Sequence, residues 1–147
     1  MTNEILTVNG NLFVDDRGFL SFVNDFNLSD YKRFYIVENH KQDFIRAWHG
    51  HLKESKAVLC VQGAALVAAV KISNDGKILH DERPFAITLS ERSPVVLKIP
   101  SGYANGFKTL TNDCKLMFFS SASLEESKND DYRFEYNTWN IWGEKYR

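Results

Sequence analysis

No sign of charge dominates this sequence: 18 Lys and Arg stand against 19 Asp and Glu, for a formal net charge of −1. A surface so balanced lacks the basic field that polyanions require, which argues against nucleic acid as a partner. No apolar run approaches the ~18 residues of a membrane span. The opening MTNEILTVNGN has neither the basic flank nor the continuous apolar core of a secretory signal. These two absences lead to the expectation of a cytoplasmic protein that does not enter a membrane. Cysteine is scarce too. Cys60 and Cys114 each sit in an apolar run, AVLCV and CKLMFF, where a buried free thiol is the commoner state. Pro/Gly/Ser linkers, internal repeats and low-complexity segments are also missing, so residues 1–147 read as a single domain, long enough to bury a proper core.

What the chain does contain is strand after strand. NLFV, LSFVNDF, RFYIVEN, FIRAWHGH, KAVLCVQG, AALVAAVKI, FAITLS, PVVLKIP, GFKTLT and CKLMFFSS are short runs rich in Val, Ile, Phe and Leu. Turn formers such as DDRG, SNDG and TND separate them, a spacing that belongs to an all-β sandwich or barrel. Only the tail, SLEESKNDDYRFEYNTWNIWGEKYR, differs. Ser123 with Glu126 three residues on has the form of a capping box, predicting a short helix in an otherwise irregular segment. Trp139, Ile141 and Trp142 in that tail require a cover, either the barrel's own outer wall or a second subunit. Together with the many strand edges, they lead us to expect a homodimer.

The stretch RAWHGHLKES, Arg46 to Ser55, carries the chemistry-bearing residues. Side chains alternate along a strand, so His49, His51 and Lys53 share one face. Lys53 then either lines a cavity mouth or ends the strand in solvent. Arg46 lies at an odd offset from His49 and reaches the same face only through a bulge or at a strand end. Glu54, at an odd offset from His51, is expected on the opposite face.

The spacing resembles that of metal-binding cupins, the double-stranded β-helix or jelly-roll barrel family. There, His-x-His is followed by Glu, then Gly, and later by Pro-x-Gly-x-x-His. His49, His51, Gly63, Pro100 and Gly102 fit in outline. However, Lys56 stands where the metal carboxylate is expected and Asn105 where the third histidine is expected. An ammonium repels a divalent cation and an amide is a poor ligand for Zn, Fe or Mn, so the expectation is no metal and no cofactor.

A more extensive likeness runs from about Asp15 to Trp139. DDRGFLSFVNDF, RFYIVENHKQDFIRAWHGH and VLKIPSGYANGFKTLTNDCKLMFF resemble the sugar-nucleotide cupins, the dTDP-4-dehydrorhamnose 3,5-epimerases and the dTDP-4-keto-6-deoxyglucose 3,4-ketoisomerases. That resemblance implies a cupin-type barrel acting as a metal-independent isomerase on a dTDP-linked 4-keto-6-deoxyhexose in surface polysaccharide synthesis. In it His49 is the base removing a proton beside the sugar ketone, and His51 with Tyr35 handles the proton at the neighbouring oxygen. Arg46 grips the diphosphate. Arg17 reaches the ligand of a neighbouring subunit, and Glu38, Tyr103 and Asn105 join Lys53 as substrate contacts. The residue types suit this chemistry, since imidazole titrates near neutral pH and guanidinium presents a planar fork to phosphate oxygens.

Two departures bear on the reaction. The epimerase family's acid tyrosine is replaced by Phe118 or Phe119, and Asn105 replaces a histidine. Both point away from double epimerisation, towards a keto shift between adjacent carbons or a single epimerisation. The alternative is a cupin that binds a nucleotide sugar without catalysis, and a lower reading is a metal-dependent cupin enzyme.

Overall fold

The computed structural model describes residues 3–143. Twelve strands and two short helical turns follow one another in it: β1 (Leu6–Asn9), β2 (Asn11–Asp15), β3 (Gly18–Phe22), a 3-10 turn (Leu28–Asp30), β4 (Arg33–Glu38), β5 (Ile45–His51), β6 (Lys56–Gln62), β7 (Ala64–Lys71), β8 (Phe85–Ser90), β9 (Val95–Ile99), β10 (Tyr103–Thr109), β11 (Lys115–Ser120), α1 (Leu124–Lys128) and β12 (Tyr132–Arg133). They form two five-stranded antiparallel sheets, ordered β1-β9-β6-β11-β4 and β12-β5-β10-β7-β8, and a separate β2-β3 hairpin. The expected all-β barrel with a short helical tail is what forms. β1 and β12 were not foreseen, because four and two residues are too few to show a period.

The main core lies between the sheets. Val58, Leu97, Ile99, Leu116 and Phe118 of the first sheet meet Val67, Leu89 and Phe107 of the second. A second cluster forms on the outer wall, where the tail's Trp139 and Trp142 cover Trp48, Ala68, Val70 and Ala104. This double cover explains why β7, AALVAAVK, reads as a continuous apolar run: both of its faces are buried. The indole N–H groups of Trp48 and Trp142 both donate to the Tyr136 carbonyl at 3.1 Å, fixing the tail by polar as well as apolar contact. The barrel's own wall therefore covers the tail, and no second subunit is needed for it.

The capping box closes as its sequence predicts. Glu126 N–H donates to the Ser123 hydroxyl at 3.2 Å, and Ser123 N–H donates to the Glu126 carboxylate at 2.9 Å. This holds a helix of only five residues, which is below the length that propensity alone stabilises. Both thiols are free and buried.

Candidate functional site

β4 and β5 lie near the same side of the two facing sheets, and a cavity of about 400 Å³ opens beside them. Tyr35 and Phe118 of the first sheet and His49, His51 and Asn105 of the second line it.

β5 carries the expected bulge. Asn105 pairs with His49, but the next residue of β10, Gly106, pairs with Ala47, so Trp48 has no counterpart. Its N–H and C=O pair instead with Phe134 of the tail, at 3.0 and 3.1 Å. The extra residue resets the alternation, so Trp48 enters the outer cluster while Arg46 and His49 both line the cavity. Gly106 belongs to the same device: a Cβ there would lie 2.5 Å from the Ala47 Cβ, a separation that excludes any side chain without movement. Arg46 Nε donates to the Asn39 side-chain oxygen at 2.7 Å, which aims the guanidinium.

β5 ends at His51, and the chain reverses at once. The Asp130 carboxylate accepts the backbone N–H groups of Leu52, Lys53 and Glu54 at 2.8, 2.9 and 2.8 Å. Burial opposes the charge on that carboxyl, yet the three N–H groups outweigh it and hold it below the usual carboxylate range. The turn brings Glu54 back into the cavity beside His51, contrary to the expectation that alternation places it on the other face, because alternation ends with the strand. Lys53 is turned the other way, to a groove it shares with Lys98, and does not line the cavity.

The histidines differ in setting. His51 is 7 % exposed. Its Nδ1 lies 2.6 Å from the Asp130 carbonyl, an acceptor, so Nδ1 carries the proton and Nε2 keeps its lone pair. Nε2 is the one buried side-chain polar atom among the described residues without a hydrogen-bond partner. Burial lowers the His51 pKa first, then the nearby Lys56 charge. His49 is half-buried, and its pKa is lowered by burial, then by Arg133 and Lys56, against the opposing pull of Asp131. Both rings are thereby neutral near pH 7.

Opposite them, Phe118 stacks on Tyr35 with rings 5.2 Å apart and 4° from parallel. Of the two phenylalanines, Phe118 lines the cavity, whereas Phe119 packs away from it on Phe26. The Lys56 ammonium, 9 % exposed as a residue, donates to the Tyr35 hydroxyl at 2.9 Å. Arg33, Arg46, Lys56, Lys128 and Arg133 make the cavity predominantly cationic, with Glu54 and Asp131 as its carboxylates.

The other expected contacts lie elsewhere. Arg17 is exposed at the β2–β3 turn and paired with Asp15. Glu38 lines a shallow depression that also reaches Arg46 and His49. Tyr103 packs on the main core with its hydroxyl donating to the Asn3 carbonyl at 3.3 Å. Sequence reasoning did not name Arg33, Glu54, Lys56, Lys128, Asp131 or Arg133 as site residues. The acidic-Tyr-Arg run DDYRFEY was the available signal for the last two. Among the described residues no three His, Cys, Asp or Glu side chains converge as a metal site, and no helix is long and apolar enough to cross a membrane.

Facing antiparallel sheets around an imidazole-lined, cation-rich cavity define a cupin-type barrel. The family model for dTDP-4-dehydrorhamnose 3,5-epimerase matches residues 2–143, and the chain belongs to that family of sugar-nucleotide isomerases. It is 27 % identical over 127 residues to the dTDP-4-dehydrorhamnose 3,5-epimerase of Escherichia coli, covering 78 % of this chain and 66 % of that one. The chain thus spans about two thirds of that relative's length. The dTDP-4-dehydrorhamnose 3,5-epimerase of Bacillus anthracis, solved with TDP and PPi bound, superimposes with a TM-score of 0.76 at 23 % identity, covering 96 % of this chain and 86 % of that one. A sugar 3,4-ketoisomerase from Thermoanaerobacterium thermosaccharolyticum, in complex with TDP, gives 0.68 at 23 % identity, covering 95 % and 93 %. These two likenesses establish the fold.

Proposed function

We propose that this protein is a cytoplasmic isomerase of a dTDP-linked 4-keto-6-deoxyhexose in surface polysaccharide synthesis, working by metal-independent enolate chemistry. The observation that carries the reading is the pair of neutral imidazoles, His49 and His51, on one wall of a cationic cavity that faces a Lys56–Tyr35 pair.

In this reading Arg46, aimed by Asn39, grips the diphosphate, with Arg133 and Lys128 adding charge near it. His49 removes the proton beside the ketone. The negative charge that develops on the sugar oxygen is met by the Lys56 ammonium and the Tyr35 hydroxyl. His51, with its free Nε2 lone pair, takes or returns the hydroxyl proton of the neighbouring carbon. Asn105, buried on the same wall as His49, donates to a sugar oxygen but cannot titrate. Phe118 has no proton to give, so of the two stacked rings on the opposite wall Tyr35 alone can donate. That favours a 3,4-keto shift or one epimerisation over inversion at two carbons. The ligands in the solved relatives, TDP with PPi in one and TDP in another, support the choice of nucleotide.

A homodimer belongs to the same proposal. The β2–β3 hairpin exposes Phe13, Val14, Phe19 and Leu20, each more than 60 % accessible, and carries Arg17 at its tip. Such a patch calls for a partner surface. Docking on a second copy would bring Arg17 to the partner's ligand.

The test is incubation with dTDP-4-keto-6-deoxyglucose in deuterated water, with NMR detection of deuterium at C3 or C5, for wild type and His49→Asn. Exchange by the wild type and its loss in the variant is expected. The phenyl ring of Phe118 in the acid's place favours the second reading, a nucleotide-sugar binding protein without catalysis. Equal binding and no exchange by either protein, across several candidate sugars, would establish that reading instead.

A further inference from the structure

We propose that Glu54 is a positioning residue of this site: a buried counter-charge placed between the Lys56 ammonium on one side and the His51 imidazole on the other. The inference rests on the isomerase reading above.

Glu54 is 3 % exposed, and a carboxylate so far from water persists only where its surroundings compensate the charge. Both of its oxygens are engaged. One accepts the Ser120 hydroxyl at 2.8 Å and the other accepts the Ser127 hydroxyl at 2.6 Å. The hydroxyls are themselves oriented to donate, since Ser120 accepts the Ala122 N–H at 3.1 Å and Ser127 accepts Arg33 Nη2 at 2.8 Å. With β11 and α1 each donating to it and β4 bracing Ser127, the carboxylate has one place to sit. From there it lies 3.8 Å from the Lys56 ammonium and 3.7 Å from His51 Nδ1.

Those distances are too long for direct hydrogen bonds and short enough for strong charge interaction in a buried setting. Lys56 spends a hydrogen bond on the Tyr35 hydroxyl and His51 spends its Nδ1 proton on the Asp130 carbonyl. Glu54 therefore acts on both without competing for their donors. It balances the charge of the Lys56 ammonium, which polarises Tyr35 a few ångströms from an imidazole that must stay ready to accept a proton. Position and charge are both required, because Lys56 alone would depress the imidazoles beside it.

Other charged groups face this centre from every packed element. Tyr35 and Arg33 stand on β4, His49 and Arg46 on β5, and Asp130, Asp131, Lys128 and Arg133 on α1 and the segment after it. Lys53 and Lys98 line the groove behind Lys56, with Glu4, Asp30 and Tyr31 at its rim. Of the carboxylates among the described residues, Glu54 is the one within 4 Å of both Lys56 and His51.

The test compares pH–rate profiles of wild type, Glu54→Gln and Glu54→Asp with the nucleotide sugar as substrate. Removing the negative charge eases proton loss from His51, so in Glu54→Gln the limb of the profile set by that imidazole moves to lower pH, by about one unit. Its kcat falls roughly tenfold or more while KM stays within about threefold, because the carboxylate acts on proton transfer and not on the diphosphate. Glu54→Asp, which keeps the charge, returns that limb to its wild-type position. A purely structural role scales the profile without moving it, so a folded Glu54→Gln protein with an unmoved limb overturns the proposal. Should Glu54→Gln not fold, the substitution is made in a Lys56→Met background, where no buried ammonium is left unpaired. A His51 imidazole that titrates by NMR at lower pH there than in Lys56→Met alone supports the proposal, and one that titrates at the same pH overturns it. Absence of turnover in the wild type itself is a different result, which refutes the isomerase reading instead.

Discussion

Asp130 is the residue on which the site's shape depends most, and its removal gives a quantitative test. In Asp130→Ala three N–H groups, those of Leu52, Lys53 and Glu54, lose a charged acceptor that holds them at 2.8–2.9 Å. Hydrogen bonds to a charged group contribute about 1.5–3 kcal/mol each, but three sharing one carboxylate are not additive and water reaches part of the vacated space. The expected loss is therefore about 3–4 kcal/mol, not three times the single value. For a chain of this size that corresponds to a fall in Tm of roughly 6–16 °C, read by calorimetry beside a urea titration. Asp130→Asn retains one acceptor oxygen and falls between the two. The effect depends on pH with a definite sign. The folded carboxyl titrates below its ordinary range, so its contribution is complete above that range and is lost as pH falls through the folded value. The gap between wild type and Asp130→Ala should thus close below about pH 4. A loss under about 1 kcal/mol at pH 7 would mean the turn holds without the carboxylate, and would refute the argument that Asp130 directs Glu54 into the cavity.

Other consequences are equally direct. Arg46→Ala weakens nucleotide-sugar binding by roughly 2 kcal/mol, about thirtyfold in Kd by calorimetric titration, with a smaller effect on the chemical step. Trp142→Ala, which removes a side chain 3 % exposed and its hydrogen bond to Tyr136, destabilises by about 3–5 kcal/mol in denaturant unfolding. Because His49 and His51 titrate below their ordinary value when folded, the unfolded chain takes up their protons first. Stability therefore declines as pH drops below about 6.5 towards the folded values, as denaturant titrations at pH 7 and pH 5.5 would measure. Elemental analysis is expected to find no stoichiometric Zn, Fe or Mn, and proton exchange to be indifferent to chelator, since the groups lining the cavity with His49 and His51 include an ammonium, Lys56, and a weakly ligating amide, Asn105.

Local pattern determined a good deal of this protein. Strand alternation placed His49 and His51 on one face, turn formers separated the runs, and the Ser123–Glu126 spacing marked a helix start, because each signal is complete within a few residues. Residue type alone showed that neither Phe118 nor Phe119 can donate a proton. What tertiary structure decided involves groups far apart in the chain. Asp130 reverses the chain after His51 from 77 residues beyond Lys53, which brings Glu54 in and turns Lys53 out. Phe134 satisfies the backbone of the bulged Trp48, which brings in Arg46. The tail's tryptophans found their cover on the barrel's own wall, and the choice between Phe118 and Phe119 followed from the register of β11 on β4. A period of two tells which face a side chain takes while the strand lasts. Where the strand bulges or ends is set by hydrogen-bond partners that only the folded chain brings within reach.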